Sequence, residues 1–263
     1  MNAIGWCDVT WSPVTGCKPD YPCWERCWAR RMANRLKGRY GYSRDNSFAP
    51  TFHPDKFDEP LRWKKPRTIF VCRMGDLYAE GGDIDWQDDV IDRIYQADWH
   101  TFILLSKRVS EMNTHLRGVW AALGGYPGNL VIGTSVSNQA EWDARVPLLC
   151  QIPAWRRVVS VEPCLGPIDM AEWLAPQGKG RSSDGHEVVL SGPIHGIVCG
   201  CETGPDARAM ELDWARNLRD QCAAAGVAFF LKKTSPFKTI GGDVNRTLDG
   251  RTHNELCWTK ETP

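Results

Sequence analysis

The chain has 263 residues, of which 42% are hydrophobic and 24% charged, and its formal net charge is zero. That length buries a full core in one large domain or two small ones, and the balanced charge confines any contact with nucleic acid or anionic membrane to a local patch. The N-terminal MNAIGWCDVT has neither a basic n-region nor an apolar h-region, and runs such as TFILLS are too short to span a bilayer, so a soluble cytoplasmic protein is expected.

In chain order, residues 11–31, WSPVTGCKPDYPCWERCWARR, place Cys17, Cys23 and Cys27 in a loop rich in Pro and Gly that leads into a helix, WERCWARRMANRL. Residues 25–44 hold seven Arg or Lys against one Glu, interleaved with Trp28, Tyr40 and Tyr42. RTIFVCR (67–73) reads as a buried strand, followed by the loop MGDLYAEGG. WQDDVIDRIYQA (86–97) spaces Val90, Ile91, Ile94 and Tyr95 as one helical face. TFILLS (101–106) is a second strand, and VSEMNTHLRGVWAAL (109–123) its helix, with Ser110 as N-cap. NLVIGTSV (129–136) is a third strand, and NQAEWDARVPLLCQ (138–151) a helix interrupted by Pro147. RRVVSVEP (156–163) is a fourth strand, after which residues 174–196 read as a Gly- and Ser-rich loop with a short hairpin. GIVCGCE (196–202) is a fifth, MELDWARNLRDQCAAAG (210–226) a helix closed by Gly226, and VAFFLKK (227–233) a sixth. A tail of turns and a short two-stranded segment ends the chain.

Six short, uniformly apolar strands alternating with helices predict a parallel sheet covered on both faces, with right-handed crossovers. Periodicity does not choose between an open doubly wound sheet and a barrel. The absence of GxGxxG after the first strand removes support for a dinucleotide fold. No linker divides the chain, so residues 1–263 are expected to form one domain: a cysteine loop and basic helix (1–60), a βα core (67–233) and a tail (234–263).

Parallel α/β folds bind ligands outside the carboxyl ends of their strands. Those ends here carry Asp76, Ser106 and Lys107, Ser135 with Asn138, Glu162, Glu202, and Lys232 with Lys233. A carboxylate at the end of a buried strand needs a partner to offset its desolvation, which singles out Glu162 and Glu202.

Eleven cysteines, an odd number, argue against a fully paired disulfide framework. Cys72, Cys199 and Cys201 in strand-like runs, and Cys150 and Cys222 on apolar helix faces, read as buried hydrophobes. By spacing alone, the trio Cys17-x5-Cys23-x3-Cys27 leaves three options open. Zinc needs a fourth ligand, such as Cys7 or a distant histidine. A [4Fe–4S] cluster on three thiolates leaves one iron open to a small molecule. The third option is no metal.

The segments WCDVTWSPVTGC…CWERCWA, IFVCRMGDLY, LLSKR, IGTSVSNQAEWDARVPLL, VVSVEPCLGPID, GCETGPDARAM…DWARNLRDQCAAAGVAFFLKK and LDGRT occur in this order over nearly the whole chain. Together they resemble the phage Gp37/Gp68-type family (DUF5131), which is similar to radical S-adenosylmethionine enzymes and distantly to spore photoproduct lyase. The resemblance implies an α/β partial (β/α)6 barrel of the radical S-adenosylmethionine type. A [4Fe–4S] cluster would sit on Cys17, Cys23 and Cys27, with S-adenosylmethionine chelating the open iron. Reduction by an electron donor would cleave the sulfonium to a 5′-deoxyadenosyl radical, which abstracts hydrogen from substrate. The resemblance also implies that Met74, Gly75 and Asp76 hold the cofactor's amino group and that Ser135 and Asn138 help bind it. Lys107, Glu162, Glu202 and Lys232 become the candidate catalytic residues. The chain departs from the usual Cys-x3-Cys-x2-Cys spacing, and Arg26 stands where an aromatic commonly precedes the last cysteine.

The basic, aromatic segment 25–44 suits a phosphate backbone with stacked bases, and so a nucleic-acid or nucleotide substrate. Two rival functions are a metal-stabilised, non-enzymatic nucleic-acid-binding module and a hydrolase using Glu162 and Glu202 as an acid–base pair.

Overall fold

A computed structural model describes residues 5–18, 24–174, 179–181, 187–189, 193–204, 206–235 and 246–259. Its centre is a sheet of seven strands: β1 (Val9–Trp11), β2 (Thr68–Val71), β3 (Thr101–Leu105), β4 (Leu130–Val136), β5 (Arg156–Val161), β6 (Gly196–Gly200) and β7 (Ala228–Lys233). They pair in chain order and all in parallel. A doubly wound sheet requires a reversal of strand order, and there is none. Right-handed crossovers between sequential neighbours from β2 onward put their connecting helices on one face, and the sheet curls into a half-barrel.

The sheet has one strand more than the six expected. β1 is only three residues long and ends two residues before Pro13, too short to register as an apolar run. It exists because Val9, Thr10 and Trp11 pair in register with Ile69, Phe70 and Val71, and because Trp11 is fully buried against Phe102.

Besides three single-turn helices (Pro54–Phe57, Glu59–Arg62 and Ala171–Leu174), the described helices are α1 (Trp28–Arg35), α2 (Ile84–Gln96), α3 (Val109–Leu123), α4 (Gln139–Cys150) and α5 (Leu212–Ala225). Alternate strand residues, among them Phe102, Ile132, Val159 and Phe229, pack with Ile94, Met112, Trp142 and Leu218 of the helices. The intervening residues Ile103, Val131, Val158, Val198 and Phe230 form a second, smaller cluster on the concave face, closed by Trp6 and Trp258. Burial on both faces explains why the strands read as unbroken apolar runs. Each of these large side chains contributes about 1.5–3 kcal/mol by leaving water.

Two helix details differ from expectation. The N-cap of α3 is Arg108, while Ser110 lies within the helix, where its carbonyl accepts from Thr114 Oγ1 at 3.1 Å. Pro147 does not interrupt α4, because Trp142, Val146 and Leu149 around it are completely buried and hold the path. Gly226 closes α5 as expected, in the left-handed conformation at φ 67°.

The short hairpin forms between Lys179–Arg181 and Glu187–Val189, and the tail pairs Thr247–Leu248 with Arg251–Thr252. Leu231 N donates to His253 O at 3.0 Å, so the tail runs along the outer edge of β7 and covers it. No helix among the described residues is long and apolar enough to cross a membrane.

Candidate functional site

A cavity of about 790 Å³ opens at the carboxyl ends of the strands, within the range of small-molecule sites. Gly75, Asp76, Lys107, Ser135, Glu162, Glu202 and Lys232 all line it. The parallel sheet therefore gathers residues spread over more than 150 positions of sequence. Asn138 is elsewhere: its side chain caps α4 by accepting from Glu141 N at 3.0 Å. Met74 is not among the lining residues and packs, like Cys17, Trp24 and Cys27, on the cluster of Ala33, Tyr42 and Phe48.

The cysteine loop is clamped to the sheet through two glycines. Gly16 N donates to Met74 O at 3.0 Å and Asp76 N donates to Gly16 O at 3.1 Å. A Cβ on Gly75 would lie 2.4 Å from Gly16 O and 2.5 Å from Gly16 N, so only glycine permits this approach. Gly16 itself has φ +90° and faces Ala49 O. This contact carries Cys17, next in the chain, to the rim of the cavity.

Asp76 is buried and fully engaged. Its carboxylate accepts from Ser106 Oγ at 2.7 Å, Lys107 N at 2.9 Å and Tyr78 N at 3.0 Å. Burial pushes its carboxyl above the ordinary value against these hydrogen bonds. The side chain thereby ties the loop after β2 to the loop after β3.

On the opposite wall, Glu162 Oε1 pairs with Lys232 Nζ at 2.8 Å, and Ser160 Oγ donates to Glu162 Oε2 at 3.0 Å. Gly200 makes room for this carboxylate, since a Cβ there would meet Glu162 Oε1 at 2.7 Å. Glu202 accepts from Arg208 N at 2.8 Å and from the Arg208 guanidinium at 2.8 and 3.1 Å, with Arg26 at 3.8 Å. Burial alone raises Glu202, but the hydrogen bonds from Arg208 outweigh it and hold the carboxyl below its usual value. A carboxylate held ionised in this way is a poor general acid.

The roof is the start of α1. Cys17 and Cys27 both line the cavity and both pack on the cluster of Ala33, Tyr42 and Phe48. Burial pushes the Cys17 thiol up to about 12, with smaller upward contributions from Asp76 and Cys27 and an opposing one from Arg108. Arg31 donates to Thr203 O across the cavity mouth, Arg30 lies over Trp24 at 4.8 Å and Arg73 over Trp28 at 4.2 Å. Of the basic residues of segment 25–44, Arg30 and Arg31 are half-buried, while Arg26, Arg35, Lys37, Arg39 and Arg44 are exposed. Tyr42 is buried and Trp28 lines the cavity, leaving Tyr40, 75% exposed, as the ring presented to solvent.

Cys23 lies outside the described residues, and among those residues no group of three His, Cys, Asp or Glu side chains is placed to hold a metal ion. Cys72, Cys150, Cys199, Cys201 and Cys222 are buried free thiols, as their apolar surroundings indicated.

A family model described as a protein of unknown function (DUF5131) matches residues 1–258. The chain belongs to the DUF5131 family. No curated protein and no solved structure matches it. The match spans all seven sheet strands and every cavity residue named above.

Sequence reasoning missed Arg73, Trp6 and Arg246, which also line the cavity. Arg73 directly precedes the loop Met74–Asp76 and could have been included by position. Trp6 and Arg246 come from opposite ends of the chain and carry no periodic signal.

Proposed function

We propose that this DUF5131 protein is a radical S-adenosylmethionine-type iron–sulfur enzyme with its reaction chamber at the mouth of the half-barrel. The observation that carries the reading is the clamping of the Cys17 loop, through Gly16 and Gly75, onto the carboxyl ends of β1 and β2, with Cys27 beside it on the same wall. The donor set fits the group. Cys17 and Cys27 are soft ligands on one apolar wall, and Cys23 belongs to the same loop. A thiol raised to about 12 is idle as a free nucleophile at neutral pH but is deprotonated outright by a metal.

Cys17, Cys23 and Cys27 would hold a [4Fe–4S] cluster, which with an external electron donor would supply one-electron reduction of S-adenosylmethionine. The chain's own residues bind and orient. Gly75 lets backbone approach backbone beneath the cofactor, and Asp76 is a positioning residue that fixes this loop. Ser135 offers a hydroxyl and Lys107 a cation on the cavity wall for the ribose and the carboxylate. The Glu162–Lys232 pair, hydrogen-bonded at 2.8 Å, can hold or move a proton at a substrate atom. Trp24, Trp28 and Phe48 shield the chamber from water.

The outer face of segment 25–44, with Tyr40 exposed beside Arg39 and Arg44, supports a nucleic-acid or nucleotide substrate. A purely non-enzymatic nucleic-acid-binding module fits less well, because Arg26 and Arg31 are directed at Glu202 and Thr203. Anaerobic reduction of the iron-loaded protein with dithionite and S-adenosylmethionine tests the proposal. 5′-Deoxyadenosine forms with wild type and not with Cys17→Ala; iron-loaded wild type that yields none refutes it.

A further inference from the structure

The charges lining the cavity do not balance. Arg26, Arg73, Lys107, Lys232, Lys233 and Arg246 face it against Asp76, Glu162 and Glu202, six cations to three carboxylates. The carboxylates are already committed. Asp76 is occupied by Ser106 and two backbone N–H groups, Glu202 by Arg208 from outside the lining, and Glu162 by Lys232. Among the described residues, no carboxylate lies within ion-pair distance of Arg73, Lys233 or Arg246.

These three cations are also partly desolvated. Burial lowers each of Arg73, Lys233 and Arg246 below its ordinary value; at Lys233 the neighbouring Lys232 adds to the effect while Cys201 and Glu162 oppose it, and at Arg73 Cys7 opposes it. A half-buried cation without an ion-pair partner is costly to hold, and three lining one chamber create a positive field there. Arg246 is fixed in place: Nη2 donates to Asn254 Oδ1 at 2.6 Å, Nε to Leu231 O at 3.4 Å, and the guanidinium lies over Phe230 at 4.5 Å, which among the described residues leaves Nη1 and the second Nη2 hydrogen for a ligand. Gly5 leaves the space beside it open, since a Cβ there would meet Arg246 Nη1 at 3.2 Å. The neighbouring Trp6 is buried, and its indole N–H has no partner. S-Adenosylmethionine cannot restore the balance, because its sulfonium and ammonium outnumber its one carboxylate.

We propose that the β7 side of the cavity is an oxyanion subsite, in which Lys233 and Arg246, with Arg73 adding positive potential, hold the phosphate or carboxylate of a small acidic substrate. The inference rests on the proposed function only in calling this ligand a substrate; the anion site itself exists with or without a cluster. An arginine fork suits both oxyanions, so the probes must separate them.

The test uses iron-free full-length protein at constant ionic strength, titrated separately with pyrophosphate and with succinate and followed by calorimetry and thermal shift. One or both probes bind saturably to wild type. Lys233→Met and Arg246→Met each weaken binding about ten- to a hundredfold, the equivalent of one charge-assisted hydrogen bond. Arg216→Met, whose guanidinium pairs with Asp249 on the surface, binds as wild type. Preference for pyrophosphate assigns a phosphoryl group, and preference for succinate a carboxylate. Lys233→Met keeps the test decisive if Arg246→Met fails to fold. Binding by neither probe, or equal binding by wild type and Lys233→Met, overturns the subsite. The two proposals fail separately: anion binding without cysteine-dependent iron removes the cluster and keeps the subsite, and the converse removes only the subsite.

Discussion

Replacing Gly75 with Ala is the sharpest perturbation of the clamp that positions Cys17. The new methyl carbon falls 2.4 Å from Gly16 O, 2.5 Å from Gly16 N and 2.8 Å from Thr15 C. All three are backbone atoms, so no side-chain rotation relieves the overlap. The two strands of chain must separate, which breaks the Gly16 N to Met74 O and Asp76 N to Gly16 O hydrogen bonds. Overpacking costs about 1–3 kcal/mol and each lost hydrogen bond about 1 kcal/mol, a total of roughly 3–5 kcal/mol. For a chain of this size that lowers the melting temperature by about 6–20 °C. Gly118→Ala is the matched control. Gly118 is exposed within α3 with nothing within 4 Å of the added carbon, so the same change should stabilise by about 1 kcal/mol. Thermal melts of the two variants, with iron content after anaerobic reconstitution, read both effects. Gly75→Ala melts early and holds less iron, while Gly118→Ala keeps its iron. A Gly75→Ala protein that melts with wild type and loads iron fully refutes the clamp.

Other expectations follow from single contacts. Asn138→Ala removes the α4 cap and costs about 1 kcal/mol by denaturant titration, with binding of S-adenosylmethionine to reconstituted protein unchanged; a large loss of that binding would return Asn138 to the site. His195 Nδ1 accepts from Arg157 N at 3.1 Å, and burial, followed by Arg156 and Arg157, lowers it from 6.5 to about 4. The folded value lies below the unfolded one, so the unfolded chain takes up the proton first as pH falls. About 3 kcal/mol of stability is therefore lost between about pH 6.5 and about pH 4, and melts of His195→Gln should lack that part of the slope. Phe102→Ala, in the fully buried centre of β3, should cost about 3–5 kcal/mol in a urea titration.

Six strands were legible because burial on both faces writes an unbroken apolar run, and the site side was legible because such sheets bind ligands at their carboxyl ends. β1 was not, since its identity comes from its pairing with β2 rather than from three residues of sequence. Asn138 shows a real ambiguity: a polar residue just past a strand can face a ligand or cap the next helix, and its φ of −158° and bond to Glu141 N decide for the cap. Composition could not tell which aromatic of segment 25–44 faces water, and Tyr42 proved to be core. The surplus cations needed the fold, because Arg246 reaches the cavity only by the tail's return along β7.

The most direct measurement of the proposed chemistry is iron content with electron paramagnetic resonance on anaerobically reconstituted, reduced protein, before and after adding S-adenosylmethionine. Wild type, Cys72→Ala and Cys222→Ala should hold roughly four irons per chain and change spectrum on adding the cofactor, while Cys17→Ala, Cys23→Ala and Cys27→Ala should lose the iron. A colourless protein with one zinc per chain, or equal iron in all five variants, contradicts the assignment.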